Sequence, residues 1–237
     1  MLKYLVGVVV GLYAMVAVAQ AGGFYLEGYG GPNWSTDFGG SGGGGDWKFN
    51  ADPDTGYVIG GKLGTEINSL PGLSIEADLS YRRNNLTGTW SYFVPDGPIC
   101  CVEAKAYVLE EVPGEWVDYP FSGADSTFAL MGNARYEYYL APELEVHALA
   151  GVGYASRHLE LTSDTHPNLD TDEGGFAWQA GLGASYEVSK GVKLGVDYIY
   201  FQGPSITRTV NLWDTPVTFN ADGQNQSLAA TLTFEFD

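Results

Sequence analysis

The stretch Leu73-Ser-Ile-Glu-Ala-Asp-Leu-Ser-Tyr-Arg82 decides how this chain is read. Leu73, Ile75, Ala77, Leu79 and Tyr81 alternate with Ser74, Glu76, Asp78, Ser80 and Arg82. A period of two sends successive side chains to opposite faces of a strand, so the segment has one oily face and one charged face. The same alternation returns over residues 128–140, 144–157, 176–188, 192–201 and 228–236, and in glycine-diluted form over 24–31 and 57–67. Eight strands are predicted.

The connections between these segments alternate in length. Long ones (32–54, 84–125, 158–174 and 202–225) are interleaved with short ones (68–72, 141–143 and 189–191). The short ones, such as Ala141-Pro142-Glu143 and Ser189-Lys190-Gly191, have turn chemistry, whereas the long ones hold most of the Gly, Asp and Pro. In an antiparallel barrel this order gathers every long loop at one end and every tight turn at the other.

Which face points inward follows from the charges. The polar face carries Glu27, Lys62, Glu66, Glu76, Asp78, Asn133, Arg135, Glu137, Glu145, His147, Gln179, Glu187, Lys193, Asp197, Thr231, Thr233 and Glu235. In a soluble core each unpaired charge of that set would cost several kcal/mol, whereas inside a narrow lumen the groups can pair with one another and with water. The oily face is therefore expected to meet lipid, as in an outer-membrane barrel; a soluble β-sandwich with one solvated face is the alternative. Aromatics cluster at both ends of the oily face. Phe24, Tyr136, Tyr138, Tyr186, Phe234 and Phe236 lie near the short turns, and Phe128, Tyr154, Phe176, Trp178, Tyr198 and Tyr200 lie near the long loops. Two such belts match the interfacial girdles of a membrane barrel.

Composition agrees. The 237 residues include 33 Gly, 16 Tyr, 11 Phe and 6 Trp with only 17% charged residues, which favours a β architecture over a helical one. A net charge of -18 without a basic cluster argues against nucleic acid as a partner, because phosphate binding needs Lys and Arg together. A hydrophobic content of 45% is too high for a disordered acidic tail.

The first residues read as an export signal. Lys3 supplies the positive region, 5–19 the apolar core, and Ala19-Gln20-Ala21 the small-residue cleavage site. Residues 1–21 are expected to be removed after Sec-type export, leaving 22–237 as one barrel domain in the outer membrane of a Gram-negative-type envelope.

On the signal peptide, the loop alternation, the Gly-rich amphipathic strands and the terminal strand Leu228-Ala-Ala-Thr-Leu-Thr-Phe-Glu-Phe236, the mature chain resembles the eight-stranded barrels of the OmpA transmembrane-domain and opacity-protein superfamily, within the porin-family outer membrane proteins. The resemblance implies recognition of a terminal aromatic by the barrel-assembly machinery. Here Asp237 follows Phe236, a departure of one residue, and no peptidoglycan-binding domain is expected after the last strand.

Candidate chemistry is sparse. Cys100 and Cys101 are adjacent in the longest loop of an exported chain, which leaves a strained vicinal disulfide, free thiols or an intermolecular bond as alternatives. Their spacing does not match a zinc site. The acidic stretch over 164–175 lacks the spacing of an EF-hand and reads as a solvated loop, whose carboxylates divalent cations bridge diffusely to lipopolysaccharide phosphates. Ser156 and His158 share one face at the long-loop end of a strand, the minimum for acyl transfer, without an orienting acid identified in the sequence. The glycine run over 39–45 lacks the Lys-Ser/Thr of a phosphate loop and reads as a loop tip. No cofactor or metal site is assigned.

The expectation is an all-β, eight-stranded antiparallel transmembrane barrel with short periplasmic turns and long extracellular loops. Its lumen network would comprise Glu27, Lys62, Glu66, Glu76, Asp78, Arg135, Glu137, His147, Glu187, Lys193 and Asp197. Its interface aromatics would be Tyr136, Tyr138, Tyr186, Trp178, Tyr198, Tyr200, Phe234 and Phe236. The expected role is non-enzymatic: envelope integrity together with adhesin-like contacts of the loops with lipopolysaccharide and with host or phage ligands. A narrow, cation-preferring channel is the second reading, and a lipid A-modifying hydrolase or acyltransferase the third.

Overall fold

Tight turns set the periplasmic end. Ile67 and Leu73 close the first of them through a 2.8 Å backbone hydrogen bond, and Gly72 (φ 79°) and Gly191 (φ 72°) take the left-handed backbone that a side chain would strain. Each of these glycines also accepts a hydrogen bond across to the next strand, from the amides of Glu137 and Glu235 respectively.

The structure, a computed structural model, describes residues 23–36, 38–42, 46–94, 97–98, 111–112, 114–163, 168–212 and 215–236. The expected signal segment 1–21 and the cysteines Cys100 and Cys101 lie outside the described residues. Among the described residues twelve strands form: β1 (Phe24–Ser35), β2 (Phe38–Gly42), β3 (Trp47–Pro53), β4 (Gly56–Glu66), β5 (Leu73–Val94), β6 (Gly97–Pro98), β7 (Glu111–Val112), β8 (Glu115–Ala141), β9 (Leu144–Thr162), β10 (Leu169–Ser189), β11 (Val192–Leu212) and β12 (Thr215–Phe236). Antiparallel ladders join β1, β4, β5, β8, β9, β10, β11 and β12 in that order, and a β1–β12 ladder closes the ring. Closure leaves no free edge, which is what a sheet immersed in hydrocarbon requires.

A second ring stands on the first. Beyond Ser35 the chain continues as β2, which pairs with residues 217–220 of β12, and β3 pairs with residues 86–92 of β5 before running into β4. The hairpin β2–β3 thus takes the place of β1 and β4 above the membrane, and the order β12-β2-β3-β5-β8-β9-β10-β11 continues the wall. The segments expected as long loops are therefore mostly strand. β5 alone runs for 22 residues, about 70 Å of extended chain, whereas a membrane crossing needs about 10 residues. The glycine run differs from its expectation in the same way, since Gly39 to Gly42 lie in β2. A Cβ on Gly40 would lie 2.7 Å from the Cα of Phe219 on the paired strand.

The polarity of the two faces inverts between the rings. On β5 the inward series Ser74, Glu76, Asp78, Ser80, Arg82, Asn84 is polar and then becomes Leu86, Gly88, Trp90, while the outward series turns from Leu79 and Tyr81 to Arg83, Asn85, Thr87 and Thr89. β9 does the same, with Leu159 and Leu161 following Arg157 on the inside and Ser156 and His158 following Tyr154 on the outside. The lower ring faces lipid and the upper ring faces water, so the apolar side must switch from wall exterior to wall interior. Inside the upper ring Trp47, Phe49, Leu86, Trp90, Phe121, Leu159, Ile206 and Phe219 pack into a core. Phe49 stacks on Phe121 at a centroid distance of 5.0 Å and meets Trp90 at 4.4 Å.

Candidate functional site

The lower bore is built from side chains that alternate inward from all eight strands. Glu27 on β1 and Lys62 on β4 face each other in register, and Lys62 Nζ donates to Glu27 Oε1 at 2.6 Å and to Asp197 Oδ2 at 3.0 Å. Arg135 on β8 is the hub. Its guanidinium reaches Glu27 at 2.8 Å, Glu137 and Glu145 at 3.0 Å, and Glu76 at 3.4 Å. Lys193 on β11 bridges Glu145 (2.6 Å) and Glu235 (2.7 Å) at the periplasmic mouth.

His147 sits between the two cation centres. Its Nδ1 lies 3.0 Å from Arg135 Nη2 and its Nε2 lies 2.9 Å from Asp197 Oδ1. Arginine has donors only, so Nδ1 must accept and the ring proton must be on Nε2, donated to Asp197. Room for this contact comes from Gly183 on β10, where a Cβ would overlap both the imidazole and the Asp197 carboxylate. Also in the bore, Tyr25 donates to Glu76 near the periplasmic mouth and, higher up, Tyr29 donates to Asp78, both at 2.8 Å, while Gln179 donates to Asp78 at 2.8 Å.

Two further layers cap this network. Met131, Phe201, Ala129, Ala155 and Ala177 form an apolar belt, and the buried guanidinium of Arg82 lies 4.0 Å from the centre of the Phe201 ring. Arg82 donates to Ser80 at 2.8 Å, while its Nε and Nη2 make no hydrogen bond among the described residues. Above it Asn33 donates to Asn84 (2.6 Å) and Asn225 (2.8 Å), and Arg157 donates to Asp125 (2.7 Å) and across the bore to the Ala221 carbonyl (2.7 Å). This polar layer lies where β1 and β4 give way to β2 and β3. The interior is therefore layered rather than polar throughout, contrary to the uniformly polar bore expected from the alternation alone.

The structure brings Glu27, Lys62, Glu76, Asp78, Arg135, Glu137, His147, Lys193 and Asp197 together inside the bore. Two expected members stand apart. Glu66 is exposed at the periplasmic rim, where its place opposite the inward-facing Ser74 borders a cavity of about 180 Å³ shared with Phe24, Glu137 and Tyr139. Glu187 is half-buried and accepts a hydrogen bond from the Gly191 amide at 3.2 Å, so it caps a turn instead. Tyr25, Tyr29, Arg82, Asp125 and Arg157 belong to the interior and were missing from the expected network. Arg82, in phase with Glu76 and Asp78 on the same strand, was legible; Asp125 and Arg157 were hidden at presumed strand ends.

The interface aromatics all point outward. Tyr136, Tyr138, Tyr186, Trp178, Tyr198, Phe234 and Phe236 are exposed on the wall, and Tyr200, partly covered, packs against Trp178 with ring centroids 5.2 Å apart. At the opposite end Phe24 stacks on Phe236 at 4.8 Å, across the seam that closes the ring. Ser156 and His158 also face outward, on the upper ring. Asp172 supplies the acid that the sequence left unidentified, 2.9 Å from His158 Nδ1, but no hydrogen bond joins Ser156 to the imidazole among the described residues.

The chain matches the family described as outer membrane protein beta-barrel domain over residues 5–236. It is 28% identical over 101 residues to the outer membrane protein PagN of Salmonella typhimurium, a match covering 39% of this chain and 41% of that protein, so the chain spans about two fifths of the curated relative it matches. Among solved structures, it is similar to Neisserial surface protein A (TM-score 0.50, 13% identity, covering 90% of this chain and 97% of that one). It is also similar to the outer membrane protease OmpT of Escherichia coli (TM-score 0.46, 11% identity, 90% and 97%). With its closed ring, its oily exterior and this match over nearly its whole length, the chain belongs to the outer membrane protein beta-barrel domain family and resides in the outer membrane.

Proposed function

We propose that this protein is a closed, non-enzymatic barrel that supports the outer membrane and carries a rigid, strand-built surface to ligands outside the cell. One observation carries the reading: the bore is filled twice, by ion pairs centred on Arg135 and Lys62 below and by the Phe49–Trp90–Phe121 core above. The gap among Arg135, Glu137, Glu145 and Lys193 is too small to admit a water molecule. An eight-stranded bore is only wide enough for side chains to fill, and here they do.

The surface reading follows from the upper ring. Its hairpins are held by continuous ladders and an internal core, so they present fixed polar faces at low entropic cost to a partner. Lipopolysaccharide at the membrane surface and host or phage ligands at the hairpin tips are the partners it fits, and the barrel-assembly machinery is its partner during insertion. The hydrolase reading has less support, since His158 is engaged by Asp172 and Ser156 is not bonded to it.

Ion conductance of the purified protein in a planar bilayer tests closure. Silence from protein whose folding is verified by heat-dependent gel mobility is expected; reproducible cation-selective steps would replace this reading with the narrow channel. Adsorption of phage and adhesion of expressing bacteria to epithelial monolayers should fall when residues 95–112 are deleted, which spares β5 and β8; unchanged adhesion and adsorption would remove that tip from the role.

A further inference from the structure

Outside the bore, the β9–β10 hairpin carries an arrangement that the closed barrel does not use. His158 and Glu160 alternate along β9, and Asp170 and Asp172 alternate along β10. The ladder sets His158 opposite Asp172 and Glu160 opposite Asp170, so all four share the outward face of the upper ring, where the wall meets water. His158 Nδ1 lies 2.9 Å from Asp172 Oδ1 and 3.6 Å from Asp170 Oδ1. The ligand atoms of His158, Asp170 and Asp172 all fall within 4.8 Å of one another.

Two features separate this patch from an ordinary solvated acidic face. The first is an imidazole at its centre, contacted by carboxylates from two positions of the facing strand. The second is a cost built into the ladder: Glu160 and Asp170 are like charges directly opposite each other, which destabilises an antiparallel pair. Among the described residues no Lys or Arg makes an ion pair with these three carboxylates; the nearby Arg208 reaches the Asp172 carbonyl and the Glu173 carboxylate instead. A bound cation would relieve that repulsion.

We propose that His158, Asp170 and Asp172, with Glu160 as the available fourth ligand, form a surface site for a divalent first-row transition ion of the Zn²⁺ class. Zn²⁺ sits about 2.0–2.2 Å from nitrogen and carboxylate donors, so its ligands need to lie within about 4 Å of one another. The Asp170 and Asp172 side chains are 73% and 74% exposed and free to rotate by the small amount required, while the paired strands hold their Cα atoms fixed. The mixed imidazole and carboxylate donor set selects against Ca²⁺ and Mg²⁺, which prefer all-oxygen ligands. The ion would pin β9 to β10 where the wall leaves the membrane, whether or not the bore conducts.

The test is calorimetric titration of ZnCl₂ into protein purified from outer membranes without a histidine tag, stripped with EDTA, with Cys100 and Cys101 alkylated. One saturable equivalent is expected, weakened at least tenfold in His158→Ala and in Asp172→Asn, with both variants folded by heat-dependent gel mobility. CaCl₂ at the same concentration should not compete. Absence of saturable binding, undiminished binding in His158→Ala, or equal competition by Ca²⁺ would each overturn the site. A second readout is cleavage of the upper hairpin by added protease, which Zn²⁺ should slow in the parent and leave unchanged in His158→Ala.

Discussion

Lys62 Nζ sits 2.6 Å from Glu27 Oε1, and the two residues face each other across the β1–β4 ladder with both side chains fully shielded from solvent. Removing one charge strands the other. Lys62→Met is expected to cost about 3–5 kcal/mol, whereas Glu27→Gln with Lys62→Met should recover much of the loss because no uncompensated partner of that pair remains. Urea unfolding in lipid vesicles, followed by tryptophan fluorescence, measures these two and Glu27→Gln alone; a loss in the double variant equal to the sum of the two single losses would show that this pair is not coupled.

Arg82 offers the opposite case. Its guanidinium is buried over Phe201, with one hydrogen bond to Ser80 and two nitrogens unsatisfied among the described residues. Arg82→Met keeps the length of the side chain and removes a poorly compensated charge, so stability should be unchanged or higher. Arg135→Met, which breaks contacts to Glu27, Glu76, Glu137 and Glu145, should be strongly destabilising in the same assay.

The upper ring should be separable from the lower one. Phe49 is fully buried against Trp90, Phe121 and Phe219, and Phe49→Ala is expected to cost about 3–5 kcal/mol locally. Hydrogen exchange should then accelerate in β2, β3 and the upper part of β5 while β1 and β4 keep their protection. Uniform acceleration would mean that the two rings melt as one unit.

Glycines on opposite faces should respond differently. A Cβ at Gly183 would collide with His147 and Asp197, whereas a Cβ at Gly28, which faces lipid, meets nothing within 4 Å. Gly183→Ala should lower the unfolding midpoint in urea and Gly28→Ala should leave it within error. A tolerated Gly183→Ala would mean that the His147–Asp197 contact can move.

Much of the lower barrel was legible because lipid imposes a simple rule. Glu76 and Asp78 against Ile75, Ala77 and Leu79 reveal both the strand and its inward face, and the oily set in 228–236 does the same for the closing strand. Above the membrane the same period continues with its polarity reversed: Leu86 and Trp90 inward, Asn85, Thr87 and Thr89 outward. A search for an oily face in constant phase ends at Tyr81 and assigns the residues beyond it to a loop. The inverted alternation was present in the residues, and recognising it requires expecting the wall to pass from lipid into water.

The pairings were not legible. Sequence spacing placed Arg135, Glu145 and His147 on inner faces, but which carboxylate meets which cation depends on strand register and on how the ring closes. Those relations bring Lys62 to Asp197, 135 positions away, and Asp172 to His158. Glu66 shows the same limit from the other side, since its phase is inward but its place as the last residue of β4 leaves it at the open rim. By itself the sequence determined that eight strands cross a membrane with their charges inward, because alternation is a local property that the two solvents, lipid and lumen, both enforce. Only the tertiary structure decided that the bore is filled, that a second ring with an aromatic core stands above it, and which charges touch, because closure and register join residues that no local pattern relates.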